Sequence, residues 1–232
     1  MSAQTLAIIP ARGGSKRIPR KNLREVADLP LIAHTIQQAR DTEEIDRAIV
    51  STDNQEIAEV AAEYGGDVPF ERPPELATDT ATLAETVTHA LDWATGEGIT
   101  YDRICVLQVT SPLRTTKDIG GTLSRLAESG ADSCVSISKY ITPPQWSVTR
   151  DESGFLEEFF DYDLLWAEEP SRSQDIPELY HPNGAVFTAT TEAWKGHESF
   201  YTPQTVGYQM PPERSFDIDE PWELELVRTL MD

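Results

Sequence analysis

Apolar and polar positions fall along this chain in short blocks whose period changes from segment to segment. Residues 5–10 are almost wholly apolar and end at Pro10, which predicts a buried strand. Leu31, Ile32, Thr35, Ile36 and Ala39 recur at helical spacing, and a second helix is predicted from Gln55 to Tyr64, stopped by Gly65-Gly66. Ala48-Ile49-Val50 is strand-like, and Val68-Pro69-Phe70 is a short extended piece. A helix is predicted over 80–93, ended in the Gly96/Gly98 region, then a strand over 104–109, a helix over 116–127 and a strand over 133–137. Strands alternating with helices of this length predict βαβ units, hence an α/β fold around a mostly parallel sheet. Residues 139–182 break the pattern, being rich in proline and aromatics without a clean period, and read as an extension of a single domain spanning 1–232. Residues 184–190 resume a strand, and 220–231 read as a closing helix with Pro221 in its first turn.

In an open α/β sheet ligands collect beyond the carboxyl ends of the strands, so the segments that follow strands are where chemistry is expected. After the first strand comes Arg12-Gly13-Gly14-Ser15-Lys16-Arg17-Ile18-Pro19-Arg20-Lys21-Asn22. Adjacent glycines allow a tight turn that brings backbone N–H groups to an oxyanion, and the basic side chains supply charge for a triphosphate. Neither the Walker pattern nor the dinucleotide fingerprint is present, which disfavours a nicotinamide enzyme.

Charge sharpens that reading. The 232 residues carry 40 acidic and 19 basic side chains, a formal net charge of −21. Such a surface repels polyanions, which argues against nucleic acid or an anionic membrane as partner. Yet Arg12, Lys16, Arg17, Arg20, Lys21 and Arg24 place six of the 19 basic residues in a window without a single acid. A local reversal on so acidic a chain points to an anionic ligand. Lysine occurs only five times, and an acid-rich, lysine-poor surface suits a salt-rich cytoplasm, where screening relieves self-repulsion. No stretch approaches the roughly 18 apolar residues of a membrane span, and the first apolar run is short for a signal peptide, so the expected location is cytoplasmic. Cys105 and Cys134 lie in apolar strands without metal-ligand spacing and are expected to be buried, reduced thiols.

Three further segments follow strands or precede helices. In Glu71-Arg72-Pro73-Pro74-Glu75-Leu76-Ala77-Thr78-Asp79, Arg72 could approach a base or phosphate, and Thr78 or Asp79 could cap the next helix. In Gln108-Val109-Thr110-Ser111-Pro112-Leu113-Arg114, a polar Gln108 at the end of an apolar strand needs a partner, either a ligand or a hydrogen-bonded turn. In Asp217-Ile218-Asp219, two carboxylates spaced by two on a strand would face one side and could share a cation, the hard oxygen set suiting Mg²⁺.

Taken in order, these segments, with Val50-Ser51-Thr52-Asp53, Arg172-Ser173-Gln174-Asp175 and Pro182-Asn183-Gly184-Ala185, resemble the CMP-sialic acid synthetase family, the cytidylyltransferases of sialic and related nonulosonic acids. The resemblance covers nearly the whole chain. It implies a Rossmann-like nucleotidyltransferase fold with a small dimerisation extension over 139–182, a homodimer, and CMP transfer from CTP to the anomeric hydroxyl of an acidic nine-carbon sugar. By the same resemblance Arg12, Gly13, Ser15, Lys16, Lys21, Asn22 and Arg72 would hold CTP. Gln108, Arg172 and Asn183 would face the sugar, Asp217 and Asp219 would hold Mg²⁺, and Arg12, Lys21 and Asp217 would carry the catalysis. His181 and Gln145-Trp146 stand where bacterial sialic acid enzymes of this kind can carry an arginine and a lysine, respectively. Alternatives are a relative acting on another sugar such as Kdo, one using GTP, and a non-catalytic nucleotide-binding module.

Overall fold

A computed structural model of the chain describes residues 3–160, 166 and 177–231. In chain order the elements are β1 (Thr5–Pro10), β2 (Glu25–Val26), β3 (Leu29–Pro30), α1 (Leu31–Arg40), β4 (Arg47–Ser51), α2 (Gln55–Glu63), α3 (Leu83–Gly96), β5 (Arg103–Leu107), α4 (Thr116–Ser129) and β6 (Ser133–Lys139). There follow β7 (Val148–Arg150), β8 (Leu156–Glu158), β9 (Tyr180–Thr190), α5 (Thr191–His197), β10 (Thr205–Gln209) and α6 (Pro221–Met231). Among the described residues the main sheet has six strands in the order β10-β6-β9-β5-β1-β4.

β1 lies parallel between β4 and β5, and β10 lies parallel to β6. β9 runs antiparallel to both its neighbours, so the sheet is mostly parallel. Helices cover both faces, and the strand alternation divides the core accordingly. Ala7 and Ile9 of β1 and Cys105 and Leu107 of β5 pack on the α1/α4 side, while Leu6, Ile8, Ile104 and Val106 pack with Val87 and Trp194 on the other. Both cysteines are free and buried, and burial pushes their thiols up to about 12 and about 11, so neither is a ready nucleophile.

Several expectations shift by a few residues, and one fails. The helix expected from residue 80 starts at Leu83, because Thr82, not Thr78 or Asp79, forms the cap with Glu85. β6 and β9 reach into the expected extension at Lys139 and at Tyr180, leaving the β7–β8 hairpin as its described ordered core. The segment around Asp217 and Asp219 is not a strand. It is an irregular stretch between a 3₁₀ turn at Pro212–Arg214 and α6, its backbone engaged in loop contacts and not in a ladder. Among the described residues no helix is long and apolar enough to cross a membrane.

Candidate functional site

The basic loop leaves the C-terminal end of β1, which lies between β5 and the edge strand β4 with both parallel to it, where a parallel sheet opens a crevice. Its path is fixed from below. Ala11 N–H donates to Ser51 O (2.9 Å), Gly13 N–H to the Asp53 carboxylate (2.9 Å), and Asn22 Nδ2 to Arg12 O (2.9 Å). A Cβ at Gly13 would stand 2.9 Å from Asn54 Nδ2, so close approach requires glycine there. Arg20 adopts the left-handed conformation (φ 58°) and turns the chain so that Lys21 points back into the crevice.

Lys21 is only 14% exposed, and its Nζ donates to Ile218 O (2.6 Å) and to Asp219 Oδ1 (3.1 Å). Arg17 pairs with Asp219 (3.6 Å) and Glu220 (3.3 Å). Arg12, Ser15, Lys16, Arg17, Lys21 and Asp219 line a cleft of about 270 Å³. The loop near the amino terminus and the acidic segment near the carboxyl terminus therefore share one cleft. Asp79, proposed above as a helix cap, instead accepts from Arg12 (3.3 Å) and pairs with Lys16; its hydrogen bond from Lys16 holds its carboxyl below the usual range.

Asp217 borders a different cleft while staying within reach of the Asp219 and Lys21 charges. It lines a second cleft of about 600 Å³ with Lys139, His181, Asn183, Tyr201 and Trp222. Its Oδ1 is buried without a hydrogen-bond partner, and burial raises its carboxyl, with the Asp219 charge adding to the effect against a Thr110 hydrogen bond. The segment 217–219 thus forms the divide between the two clefts. Ile218 N–H donates to Thr110 O (2.8 Å), and Glu223 accepts from the N–H groups of Asp219 and Glu220 (2.7 Å each).

The remaining expected residues occupy mixed positions. Arg72 is buried beneath the loop, its Nε donating to Ser51 Oγ (3.0 Å) and Nη2 to Ser51 O, and burial lowers its pKa to about 10. Gln108 follows β5, its Oε1 accepting from Thr110 Oγ1 (3.4 Å), and lines neither cleft. Asn183 borders the larger cleft with its amide fully engaged: Oδ1 accepts from Ser136 Oγ (2.6 Å), and Nδ2 donates to Ser215 Oγ (2.9 Å). Arg172 lies outside the described residues.

Sequence reasoning missed the residues that brace these clefts. Arg114 is 1% exposed and donates to Gln108 O (3.1 Å), Ala185 O (2.7 Å), Thr35 Oγ1 (3.1 Å) and Gln38 Oε1 (2.9 Å), tying β5, β9 and α1 together. Nothing in the local pattern marks it as buried. Asp118 could have been found as the fourth residue of a Thr-x-x-Asp helix start.

With the geometry in place, comparison with known proteins decides the family. A family model described as Cytidylyltransferase matches residues 6–231. The chain belongs to the cytidylyltransferase family. Its curated relatives include the CMP-N,N'-diacetyllegionaminic acid synthase of Legionella pneumophila, 36% identical over 98% of this chain and 96% of that protein. The pseudaminic acid cytidylyltransferase of Campylobacter jejuni (strain 81-176) is 31% identical over 98% of this chain and 96% of its own length. An N-acylneuraminate cytidylyltransferase of Streptococcus agalactiae (strain NEM316) is 36% identical over 92% of this chain, which spans 50% of that longer protein. Among solved structures, a CMP:2-keto-3-deoxy-manno-octonic acid synthetase complexed with CTP superposes with a TM-score of 0.70 at 16% identity, covering 99% of this chain and 98% of that one. That likeness supports the fold of this family member.

Proposed function

We propose that this cytidylyltransferase transfers CMP from CTP to the anomeric hydroxyl of a nonulosonic acid of the sialic type and releases pyrophosphate. The observation that carries the reading is the approach of Lys21 to Asp219 within the basic cleft, joined to full-length kinship with nonulosonic acid enzymes. The small cleft suits the triphosphate. Arg12, Lys16 and Lys21 offer charge, and Gly13 and Ser15 shape the loop around it, with Asn22 bonded to Arg12 O within the loop and Arg72 bracing Ser51, to which Ala11 at the loop's start is bonded. The larger cleft, on the far side of Asp217, suits the sugar, with Asn183 on its wall and Gln108 and Arg172 as further candidates.

Nucleotidyl transfer needs positioning and charge neutralisation more than covalent help from the protein. In this reading Lys21 and Arg12 stabilise the departing pyrophosphate, and the divide at 217–219 brings the sugar's hydroxyl toward the α-phosphorus. The orphaned Asp217 Oδ1 fits a cation, as does its oxygen-only chemistry. Asp217, with Asp219 once Lys21 has moved to the phosphates, would hold Mg²⁺. Among the described residues no cluster of three or more acids, histidines or cysteines could hold a metal alone, so the shell would be completed by phosphate and water. Bound there, the ion would offset charge at the α-phosphate and acidify the attacking hydroxyl.

The extension is proposed to seat on a second copy of the chain. Ile141 (83% exposed) and Phe155 (74%) present apolar surface on and beside the β7–β8 hairpin, as expected of a dimer contact. With this reading goes a proposed cytoplasmic location, where CTP is at hand. The test of the reaction is pyrophosphate release from CTP, GTP and ATP with sialic, legionaminic, pseudaminic and Kdo acceptors. Release with CTP and a nine-carbon acid supports it; release confined to Kdo or to GTP, or nucleotide binding without turnover, removes it.

A further inference from the structure

The segment carrying Asp217 and Asp219 has no ladder to hold it, so its placement depends on isolated backbone bonds and on side-chain contacts. The strongest is an ion pair. Arg214, at the end of the preceding 3₁₀ turn, reaches back to α4 and grips Asp118 with two bonds, Nε to Oδ2 (3.0 Å) and Nη2 to Oδ1 (2.8 Å). The Asp118 side chain is 0% exposed, and its Oδ2 also accepts from the N–H (2.9 Å) and hydroxyl (2.7 Å) of Thr115. Burial alone would raise this carboxyl, but the bonds from Arg214 and Thr115 overcome it and hold the group below its usual range. A carboxylate is thus kept charged and buried at the start of α4.

Ion pairs of this kind are commonly matched or exceeded in stability by apolar replacements, so stability alone does not account for the pair. Its geometry is more telling. Arg214 stands three residues before Asp217, and four residues after it Ile218 N–H bonds to Thr110, on the same loop that leads into α4. Between them Ser215 Oγ accepts from Asn183. The acidic segment is therefore fastened to the α4 entry on both sides of Asp217, and the guanidinium fork fixes both distance and angle, as an ammonium would not.

We propose that Arg214 is a positioning residue for nucleotidyl transfer. By gripping Asp118 it sets the placement of Asp217 and Asp219 against the cationic loop, and through them the affinity of the divalent-cation site. This rests on the reading of Asp217 as a cation ligand. Groups bonded directly to metal ligands typically change metal affinity by about 10–100-fold when removed, and Arg214 acts one step further out, through the backbone, so its effect belongs at the lower end of that range.

The test uses Mn²⁺ binding followed by electron paramagnetic resonance, with a non-hydrolysable CTP analogue bound, well below each variant's melting temperature. Arg214→Gln is expected to weaken Mn²⁺ binding by about 10-fold, and Arg214→Lys by less. The KM for CTP at saturating Mg²⁺ should stay near that of the parent protein. Arg214→Gln leaves the Asp118 charge uncompensated and will lower the melting temperature; adding Asp118→Asn should restore stability without restoring Mn²⁺ affinity. Parent-like Mn²⁺ affinity in folded Arg214→Gln or in the double variant overturns the proposal and leaves the pair a structural cross-link. Parent-like affinity in Asp217→Asn overturns the ligand reading itself, a separate outcome from the first.

Discussion

Lys21 Nζ lies 3.1 Å from Asp219 Oδ1 although 198 positions separate the two residues. Around this contact the basic loop is neutralised by the chain's own acids: Arg12 and Lys16 meet Asp79, Arg17 meets Asp219 and Glu220, and Arg20 meets Glu56. Most of these pairs are solvent-exposed, where each contributes at most about 1 kcal/mol. A triphosphate can therefore exchange with the carboxylates. Lys21 is the least exposed cation of the set, and in the proposed reaction it would meet the charge of the leaving group. We expect Lys21→Ala to lower kcat/KM for CTP by about a hundredfold or more in steady-state assays, with little change in melting temperature. Parent-like CTP kinetics would contradict the loop's role.

Asp217 tests the cation site in a second way. Its carboxyl is raised, chiefly by burial, so the folded protein binds that proton more tightly than the unfolded chain does. The raised group favours folding when protonated, and that stability is lost as pH rises through the folded pKa. At neutral pH the ionised side chain is thus a cost to the metal-free protein. Asp217→Asn should raise the metal-free melting temperature at pH 7, with a smaller gain at acid pH, while lowering kcat by about a hundredfold or more. Calorimetry and turnover assays read the two effects separately.

Periodicity revealed most of the central fold because β1, β4, β5 and β6 are buried on both faces and read as short apolar runs. β10 escaped notice: Thr205–Gln209 is a half-exposed edge strand with Gly207 inside it, and a Cβ there would stand 2.6 Å from Ile137 Cδ1. The start of β9 was hidden by Pro182 and Gly184, which sit where its pairing with β6 becomes irregular. The basic loop was legible as a charge reversal. The acidic segment was legible in composition and misread in shape, because a spacing of two signifies one face only when a ladder holds the backbone. The Arg214–Asp118 pair spans 96 positions, and no local pattern could show it.

Arg114 is expected to matter for folding more than for chemistry. It is fully buried with a pKa lowered to about 10 by desolvation, and it serves two backbone carbonyls and two side chains. Lysine cannot reach all four. Arg114→Lys should destabilise the protein by about 2–4 kcal/mol in denaturant titrations, with the KM for CTP of the remaining folded protein unchanged.

Salt should act on stability and on binding with opposite signs. With 40 acids against 19 bases, self-repulsion is relieved as salt rises, so the melting temperature should increase from low to molar salt. The KM for CTP should rise over the same range because the basic loop is screened too. A flat melting profile would remove the proposed adaptation to a salt-rich cytoplasm.

The most direct test of the central claim is mass spectrometry of the product formed from CTP, Mg²⁺ and each of the sialic, legionaminic, pseudaminic and Kdo acids. The account predicts a CMP ester of a nine-carbon acid, formed more slowly by about a hundredfold or more in Asp217→Asn. Absence of such a product from every nine-carbon acid, with active protein confirmed by CTP binding, would contradict it.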